Sequence, residues 1–92
     1  MPLYWNPPSF ILSIDKAKAL GNTKTPGTNI LDRSMISHCM GKYMYCWLNS
    51  NTEFWSVPIL VRNSNIQIWI WSNDKWLYSK IPLQSIDCFI CY

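Results

Sequence analysis

Residues 66–78 read Ile-Gln-Ile-Trp-Ile-Trp-Ser-Asn-Asp-Lys-Trp-Leu-Tyr, and this stretch decides the fold because two alternating runs flank a two-residue turn. Alternation with a period of two is typical of a β-strand that has two different faces. Asn73-Asp74 suits the tight turn of a hairpin, since both residue types tolerate the left-handed backbone. The sequence therefore predicts a β-hairpin in which Ser72 lies opposite Lys75.

Four aromatic side chains fall on one face of this hairpin, opposite to the face of Ile68: Trp69, Trp71, Trp76 and Tyr78. Opposed side chains on paired strands lie about 4.5–5.5 Å apart at Cβ, so the four rings should touch and form one patch. A patch of adjoining rings usually marks a contact site, and we expect these four residues to carry binding. The alternative is that residues 1–40 fold back over the patch and make it a second core.

Three further runs alternate in the same way and predict strands on either side of the hairpin: residues 43–48, 52–61 and 86–91. Pro58 bends or interrupts the second of these, because proline cannot donate a ladder hydrogen bond. Residues 81–85 are too few for an α-helix and suit a single 3₁₀ turn. Five short strands with such a turn before the last predict a mainly β fold, a small five-stranded SH3-like or Sm-like barrel over residues 42–92. Closure into a barrel would remove exposed strand edges.

The strand pattern also predicts which side chains form the core. Residues that share the inward parity of the strands are aliphatic or contain sulfur: Met44, Cys46, Leu48, Ile66, Ile68, Ile70, Leu77, Ile86, Cys88 and Ile90. Cys46 and Cys88 belong to this set, and the first and last strands are neighbours in such a barrel. We therefore expect two buried thiols in contact with each other.

Residues 1–41 form an N-terminal extension in this interpretation. Its proline-rich start, residues 1–9, predicts extended chain, whereas the Gly, Asn, Thr and Pro content of residues 21–28 predicts a loop. Residues 10–20 suit a short helix with Ser9 as N-cap, and residues 10–14 could equally be a strand.

A second helix is predicted directly before the strands, over residues 29–40. Asn29 is suited to the N-cap, and apolar residues such as Leu31 and Met35 recur on one helical face. Gly41 ends the helix, so the period of the pattern changes from helical to two at that residue.

The spacing of aromatic and glycine residues from Gly41 onward resembles a known group of sequences. The residues that carry the resemblance are Gly41-Lys42-Tyr43-x-Tyr45-x-Trp47-Leu48, Phe54-Trp55-x-x-Pro58, Trp69, Trp76-x-Tyr78 and Ile81-x-Leu83-x-x-Ile86-x-x-Phe89-x-Cys91. Through this pattern residues 41–92 resemble short uncharacterised aromatic-rich proteins of clostridia and related bacteria. Those proteins are often labelled transporters, but no apolar run here is long enough to span a bilayer, so the resemblance implies no function.

The cysteines and the single histidine are the candidates for metal or thiol chemistry: His38, Cys39, Cys46, Cys88 and Cys91. They are numerous enough for a zinc site. However, Cys88 and Cys91 lie three residues apart in a strand pattern and so point to opposite faces, unlike the paired ligands of a zinc knuckle. Buried thiols are the favoured interpretation, with zinc and a disulfide as the alternatives. We expect no bound metal and no cofactor.

Catalysis has little support in the sequence. His38 and Cys39 are adjacent and point about 100° apart on a helix, so they cannot form a nucleophile pair. The five acidic residues are isolated from one another, and the three glycines form no phosphate-binding loop. We therefore predict that the protein is not an enzyme.

The composition favours binding instead, because only 14% of the residues are charged, 15% are aromatic and the net charge is +3. Few charges and many aromatic rings are typical of interface cores, so the favoured function is protein binding or self-assembly into a homo-oligomer. RNA binding is the alternative, since barrels of this type stack bases on aromatic rings. Glycan or cell-wall binding is a further alternative. Without a targeting segment or a spanning run, we expect a cytoplasmic protein that does not insert into membranes.

Overall fold

The fold is a five-stranded antiparallel sheet with short helical segments packed on it. The computed structural model describes residues 6–10, 13–20, 23, 31 and 33–92. In chain order the elements are α1 (Ile14–Ala19), α2 (Arg33–Ile36), a 3₁₀ turn (Ser37–Cys39), β1 (Met44–Leu48), β2 (Glu53–Arg62), β3 (Asn65–Ser72), β4 (Lys75–Pro82), a second 3₁₀ turn (Leu83–Ser85) and β5 (Ile86–Cys91). The mainly β class predicted from the sequence is confirmed, including the 3₁₀ turn before the last strand.

The strands lie in the order β4-β3-β2-β1-β5, so the first and last strands are neighbours. The sheet is not closed into a barrel, and the predicted closure is therefore not confirmed. Its edges are β4 and β5, and β5 carries an isolated bridge between Thr23 and Cys88 on its outer side. Among the described residues β4 pairs only with β3.

Two tight turns set the register of the central strands. Asn73 and Asp74 have φ values of 52° and 62°, and Asn63 and Ser64 have values of 52° and 68°. Two consecutive residues with positive φ give the turn whose twist matches that of paired strands. Ser72 accordingly pairs with Lys75, which confirms the predicted register of the β3–β4 hairpin.

An extra residue in β5 changes which of its side chains share a face. Trp47 pairs with Cys88, but the next residue of β1, Leu48, pairs with Ile86, so Asp87 is an extra residue in the ladder. A bulge of this kind reverses the inside–outside alternation beyond it. Ile86 and Phe89 therefore lie in one cluster, while Cys88 lies on the other face of the sheet.

Two hydrophobic clusters result, one on each face of the sheet. The first cluster contains Leu31, Ile36, Cys39, Met44, Cys46, Ile66, Ile68, Leu83, Ile86 and Phe89. The second cluster contains Ala17, Tyr45, Trp47, Trp55, Cys88 and Ile90. Each face of the sheet thus has a core of its own.

Most of the predicted core residues are confirmed as buried or packed against a core, and the assignment of Leu77 is wrong. Met44, Cys46, Ile66, Ile68 and Ile86 are in the first cluster, and Leu48 and Ile70 pack against it. Cys88 and Ile90 are buried in the second cluster instead, because of the extra residue at Asp87. Leu77 is 41% exposed, because it lies on the edge strand β4.

The helices are shorter than predicted. α2 has one turn and tightens into the 3₁₀ turn at Ser37, whose hydroxyl donates to the carbonyl oxygen of Ser34 at 2.7 Å. Hydroxyl groups compete in this way with regular helical bonding. α1 begins at Ile14, and its N-cap is Ser13 rather than the predicted Ser9. The predicted N-cap at Asn29 lies outside the described residues.

The segment before the sheet is fixed to the first cluster at two points. The side-chain amide of Gln84 accepts from the N–H of Leu31 at 2.8 Å and donates to its carbonyl oxygen at 3.2 Å. Eight residues later, Cys39 forms a disulfide with Cys91 at the end of β5. Leu31 and residues 33–39 are therefore held over the first cluster, at Leu31 and at Cys39.

Candidate binding surface

The aromatic residues of four strands share the face of the sheet that carries the second cluster. The strand registers place them side by side, because Tyr45 pairs with Trp55, Val57 with Trp69, and Trp71 with Trp76. We call this set the aromatic face: Tyr43, Tyr45, Trp47, Trp55, Trp69, Trp71, Trp76 and Tyr78. The four predicted binding residues, Trp69, Trp71, Trp76 and Tyr78, form its β3–β4 part.

Ring contacts link six members of the aromatic face in a row: Tyr43, Tyr45, Trp47, Trp55, Trp71 and Trp76. Ring centroids lie 4.9 Å apart for Tyr45 and Trp47, and 5.1 Å apart for Tyr45 and Trp55. Tyr43 lies edge-on to Trp55 at 6.5 Å and stacks on Trp76 at 6.3 Å with an interplanar angle of 23°. Such arrangements stabilise aromatic clusters beyond the area they bury. Tyr43 therefore connects the β1–β2 part of the aromatic face to the β3–β4 hairpin.

The predicted ring pairs of the hairpin are confirmed. The centroids of Trp71 and Trp76 are 5.1 Å apart at an interplanar angle of 65°. Those of Trp69 and Tyr78 are 5.3 Å apart at 68°. Both pairs are edge-on, the geometry that aromatic quadrupoles prefer.

One half of the aromatic face is core. Helix α1 packs on β5, and its Ala17 is buried against the rings of the second cluster. The hydroxyl of Tyr45 donates to a carboxylate oxygen of Glu53 at 3.0 Å, and burial together with this bond raises the pKa of Tyr45 well above its ordinary value. Within the described residues, α1 thus covers rings on β1 and β2. The alternative in which residues 1–40 cover Trp69, Trp71, Trp76 and Tyr78 stays a prediction.

The other half of the aromatic face is more open. Trp69, Trp71 and Trp76 are only half-buried, and Tyr78 is 53% exposed. The hydroxyl of Tyr78 donates to the side-chain oxygen of Gln67 at 2.9 Å across the sheet. The exposure of Tyr78 makes this half the candidate binding surface.

Strand β4 adds an open backbone edge to this surface. It is eight residues long, and along it exposed residues alternate with half-buried ones, with Leu77 and Tyr78 both exposed at its centre. Lys75 and Lys80 lie near its ends, and lysine on an edge strand weakens indiscriminate strand addition. The opposite edge of the sheet differs, because the hydroxyl of Thr23 bonds the carbonyl oxygen of Asp87 at 3.0 Å beside β5.

Two cavities lie elsewhere on the described surface. One of about 430 Å³ is lined mainly by polar residues of the β1–β2 turn together with Ile14, Trp47 and Asp87. The other, of about 300 Å³, is a shallow apolar groove between α2 and the bulge of β2 at Ile59 and Leu60. Neither cavity is lined by a cysteine or by the histidine.

The cysteines divide into a disulfide and two buried thiols. Cys39 and Cys91 are bonded to each other, whereas Cys46 and Cys88 are free and buried in different clusters, so the predicted thiol contact is wrong. Burial raises the pKa of the Cys46 thiol to about 12 and that of Cys88 to about 11. Both are protonated and poorly nucleophilic at neutral pH. Within the described residues, no group of three His, Cys, Asp or Glu side chains is placed to hold a metal.

Sequence reasoning missed part of this surface. Tyr43, Tyr45, Trp47 and Trp55 have the same strand parity as the hairpin aromatics once β1 and β2 are paired, and that parity was the available signal.

No protein-family model, curated protein or solved structure matches the chain. In the described part of the chain, no helix is long and apolar enough to cross a membrane.

Proposed function

We propose that this protein is a non-catalytic interaction module that binds protein through the open half of the aromatic face, at Trp69, Trp71, Trp76 and Tyr78. The observation that carries the proposal is the position of the exposed Tyr78 on an edge strand. An aromatic patch beside the edge of a sheet offers a partner both apolar area and backbone hydrogen bonds. RNA needs a cationic groove as well as rings, and β4 carries only Lys75 and Lys80.

The finer fold belongs to the same proposal. We propose that the sheet is an opened small barrel of the SH3-like or Sm-like kind. Supporting this are the adjacency of β5 and β1 and the 3₁₀ turn Leu83–Ser85 before the last strand. The kinship of residues 41–92 with the clostridial aromatic-rich proteins is proposed on the spacing of their aromatic residues alone.

The location in the cell is a separate question. The sequence predicts the cytoplasm, but disulfides are rare in that compartment because thiol reductants keep cysteines reduced. The Cys39–Cys91 bond is therefore an argument for an oxidising compartment.

Site-specific photo-crosslinking tests the binding surface. A photoreactive phenylalanine analogue replaces Tyr78 in one variant and Phe10 in a matched control, since the two side chains are 53% and 54% exposed. We expect protein adducts, either with copies of this chain or with another protein, from position 78 and not from position 10. Trp76→Ala should reduce the adducts without lowering the melting temperature by more than a few degrees. Equal yields at both positions, or adducts with RNA alone, would overturn the proposal.

A further inference from the structure

We infer that the partner at the open edge is a second copy of this chain, joined through antiparallel pairing of β4 with β4 around a two-fold axis at Leu77. This inference rests on the proposed function and names its occupant. It combines three observations: the backbone direction along β4, the exposed side chains at its centre, and the order of charges along it.

The backbone of β4 presents alternate residues to the edge. A two-residue hairpin closes on a hydrogen-bonded pair, here Ser72 with Lys75. The residues that direct their N–H and C=O groups away from β3 are then the even-numbered ones, including Tyr78 and Lys80. Pro82 ends this row because it has no N–H to donate. The edge is therefore complete over the middle of β4 and interrupted at its end.

A symmetric strand pair continues both faces of the sheet only in certain registers. Opposed residues of an antiparallel pair lie on the same face, so the two-fold axis must pass through a residue and not between two residues. Placing the axis at Leu77 sets its exposed side chain against Leu77 of the partner subunit. Tyr78 then lies opposite Trp76 of the partner subunit, which extends the aromatic face across the junction. The two large apolar side chains exposed at the centre of β4, Leu77 and Tyr78, are both covered in this arrangement.

The order of charges selects this register among its neighbours. With the axis at Leu77, Asp74 of the turn lies opposite Lys80 of the partner subunit, and the symmetry gives this pair twice. Lys75 lies opposite Ser79 of the partner subunit, so no two lysines oppose each other. Moving the axis to Tyr78 sets Asp74 against Pro82 of the partner subunit and removes both charge pairs. Moving it to Ser79 sets Trp76 against that proline, which lacks a donor.

Cysteine cross-linking tests the register. In Leu77→Cys the new thiols face each other at the axis, whereas in the control Ser79→Cys they are separated by four residues along the strand, roughly 13 Å. A disulfide needs Cα atoms within about 7 Å. With oxidised glutathione as oxidant, each cross-link reduces one glutathione disulfide to two thiols. We expect most of the Leu77→Cys chain to run as a covalent dimer on a non-reducing gel, and little of the Ser79→Cys chain.

Charge variants test the same register without cysteine. Lys80→Glu sets two acidic side chains against each other at both ends of the junction. Light scattering should therefore give a dimer dissociation constant about tenfold larger than that of the unaltered chain. Lys75→Glu makes the same charge change two pairs away, opposite a serine, and should change dissociation by less than about twofold.

Three outcomes would overturn the inference. They are a monomer at millimolar concentration, cross-linking of Ser79→Cys equal to that of Leu77→Cys, and equal effects of the two lysine variants. A monomer whose position 78 cross-links to a different protein would leave the proposed function standing and remove only the second copy as occupant. A dimer that cross-links through Leu77→Cys but is unaffected by Tyr78→Ala would instead remove the aromatic face from the proposed function.

Discussion

The two faces of the sheet are covered to different extents, although both carry large apolar side chains. Leu31 and residues 33–39 are held over the first cluster, at Leu31 by Gln84 and at Cys39 by the disulfide. The aromatic face is covered by α1 on β5 and its neighbours, while Tyr78 at the β4 edge is exposed. The difference teaches that the residues that stabilise the sheet and the residues proposed to bind lie in separable parts of it, so substitutions at the two parts should have different effects.

The largest expected effect comes from the disulfide that holds the first face closed. Cys39 and Cys91 are 52 residues apart in sequence, and a loop of that size limits the unfolded chain enough to stabilise the fold by about 4 kcal/mol. We expect reductant to lower the free energy of unfolding by about this amount in urea titrations. The double variant Cys39→Ser, Cys91→Ser should start at the lower value and not respond to reductant.

Thiol counting checks the same bond directly. The chain has four cysteines, of which two are bonded and two are buried. Unfolding without reductant should expose two alkylatable thiols, and unfolding with reductant should expose four. Four thiols without reductant would show that Cys39 and Cys91 are not bonded, and that no disulfide holds the first face of the sheet.

The second prediction contrasts a closed and an open position on the same face of the β3–β4 hairpin. Ile68 is fully buried in the first cluster, so Ile68→Ala should cost about 2–4 kcal/mol. Leu77 is 41% exposed on the edge strand, so Leu77→Ala should cost less than about 1 kcal/mol. Equal losses in chemical denaturation would show that the β4 edge is as well covered as the centre of the sheet. The Leu77 variant is measured at a concentration low enough to keep the chain monomeric.

The sequence predicts the features of the fold that depend on residues close together in the chain better than those that depend on pairing between distant segments. The register of the β3–β4 hairpin follows from Asn73-Asp74 alone and is confirmed, together with the ring pairs it implies. The extra residue at Asp87 leaves no mark on the alternating pattern of β5, yet it decides the face on which Cys88 lies. It also places Cys91 on the face of Cys39, to which it is bonded. The sequence favours free thiols over this disulfide through the predicted cytoplasmic location, where cysteines stay reduced.

The helical segment and the cover of the sheet depend on tertiary contacts. The helical pattern of residues 29–40 is genuine, but Ser37 and Ser34 bond locally and the described helix keeps one turn before tightening. Whether the sheet closes, and which half of the aromatic face α1 covers, is set by packing between distant segments. A periodic pattern carries no information about either. It predicts which aromatic residues share a face, but which of them are exposed is determined only by the fold.

The third prediction is a loss of stability at alkaline pH that arises inside the sheet. The Cys46 thiol has an ordinary pKa near 9, and burial raises it to about 12 in the folded chain. The folded state therefore keeps a proton that the unfolded state releases above pH 9. The stabilisation of the folded state by this protonated thiol is fully present below pH 9 and is lost as the pH rises toward 12. The free energy of unfolding should fall by on the order of 1 kcal/mol between pH 8 and pH 10.

Urea titrations at pH 8 and pH 10 measure this loss, with Cys46→Ala as the control. The control removes the thiol and should have a shallower decline over the same interval. An identical decline in both chains would mean that the Cys46 side of the sheet admits water and is not the closed face.

The smallest expected effect separates the two halves of the aromatic face by one hydroxyl each. Tyr45 donates to Glu53 at 3.0 Å in the covered half, and Tyr45→Phe removes this bond between a buried tyrosine and the carboxylate of the exposed Glu53. We expect a loss of about 1 kcal/mol, as for other hydrogen bonds whose partner stays behind. Tyr78 donates to Gln67 at 2.9 Å in the open half, where water replaces the hydroxyl, so Tyr78→Phe should change stability by less than about 0.5 kcal/mol. Because both variants keep the ring, they test burial of the polar atom and not loss of aromatic area. A loss at Tyr78 equal to that at Tyr45 would mean that the β4 end of the aromatic face is covered, and the candidate binding surface would then be a core.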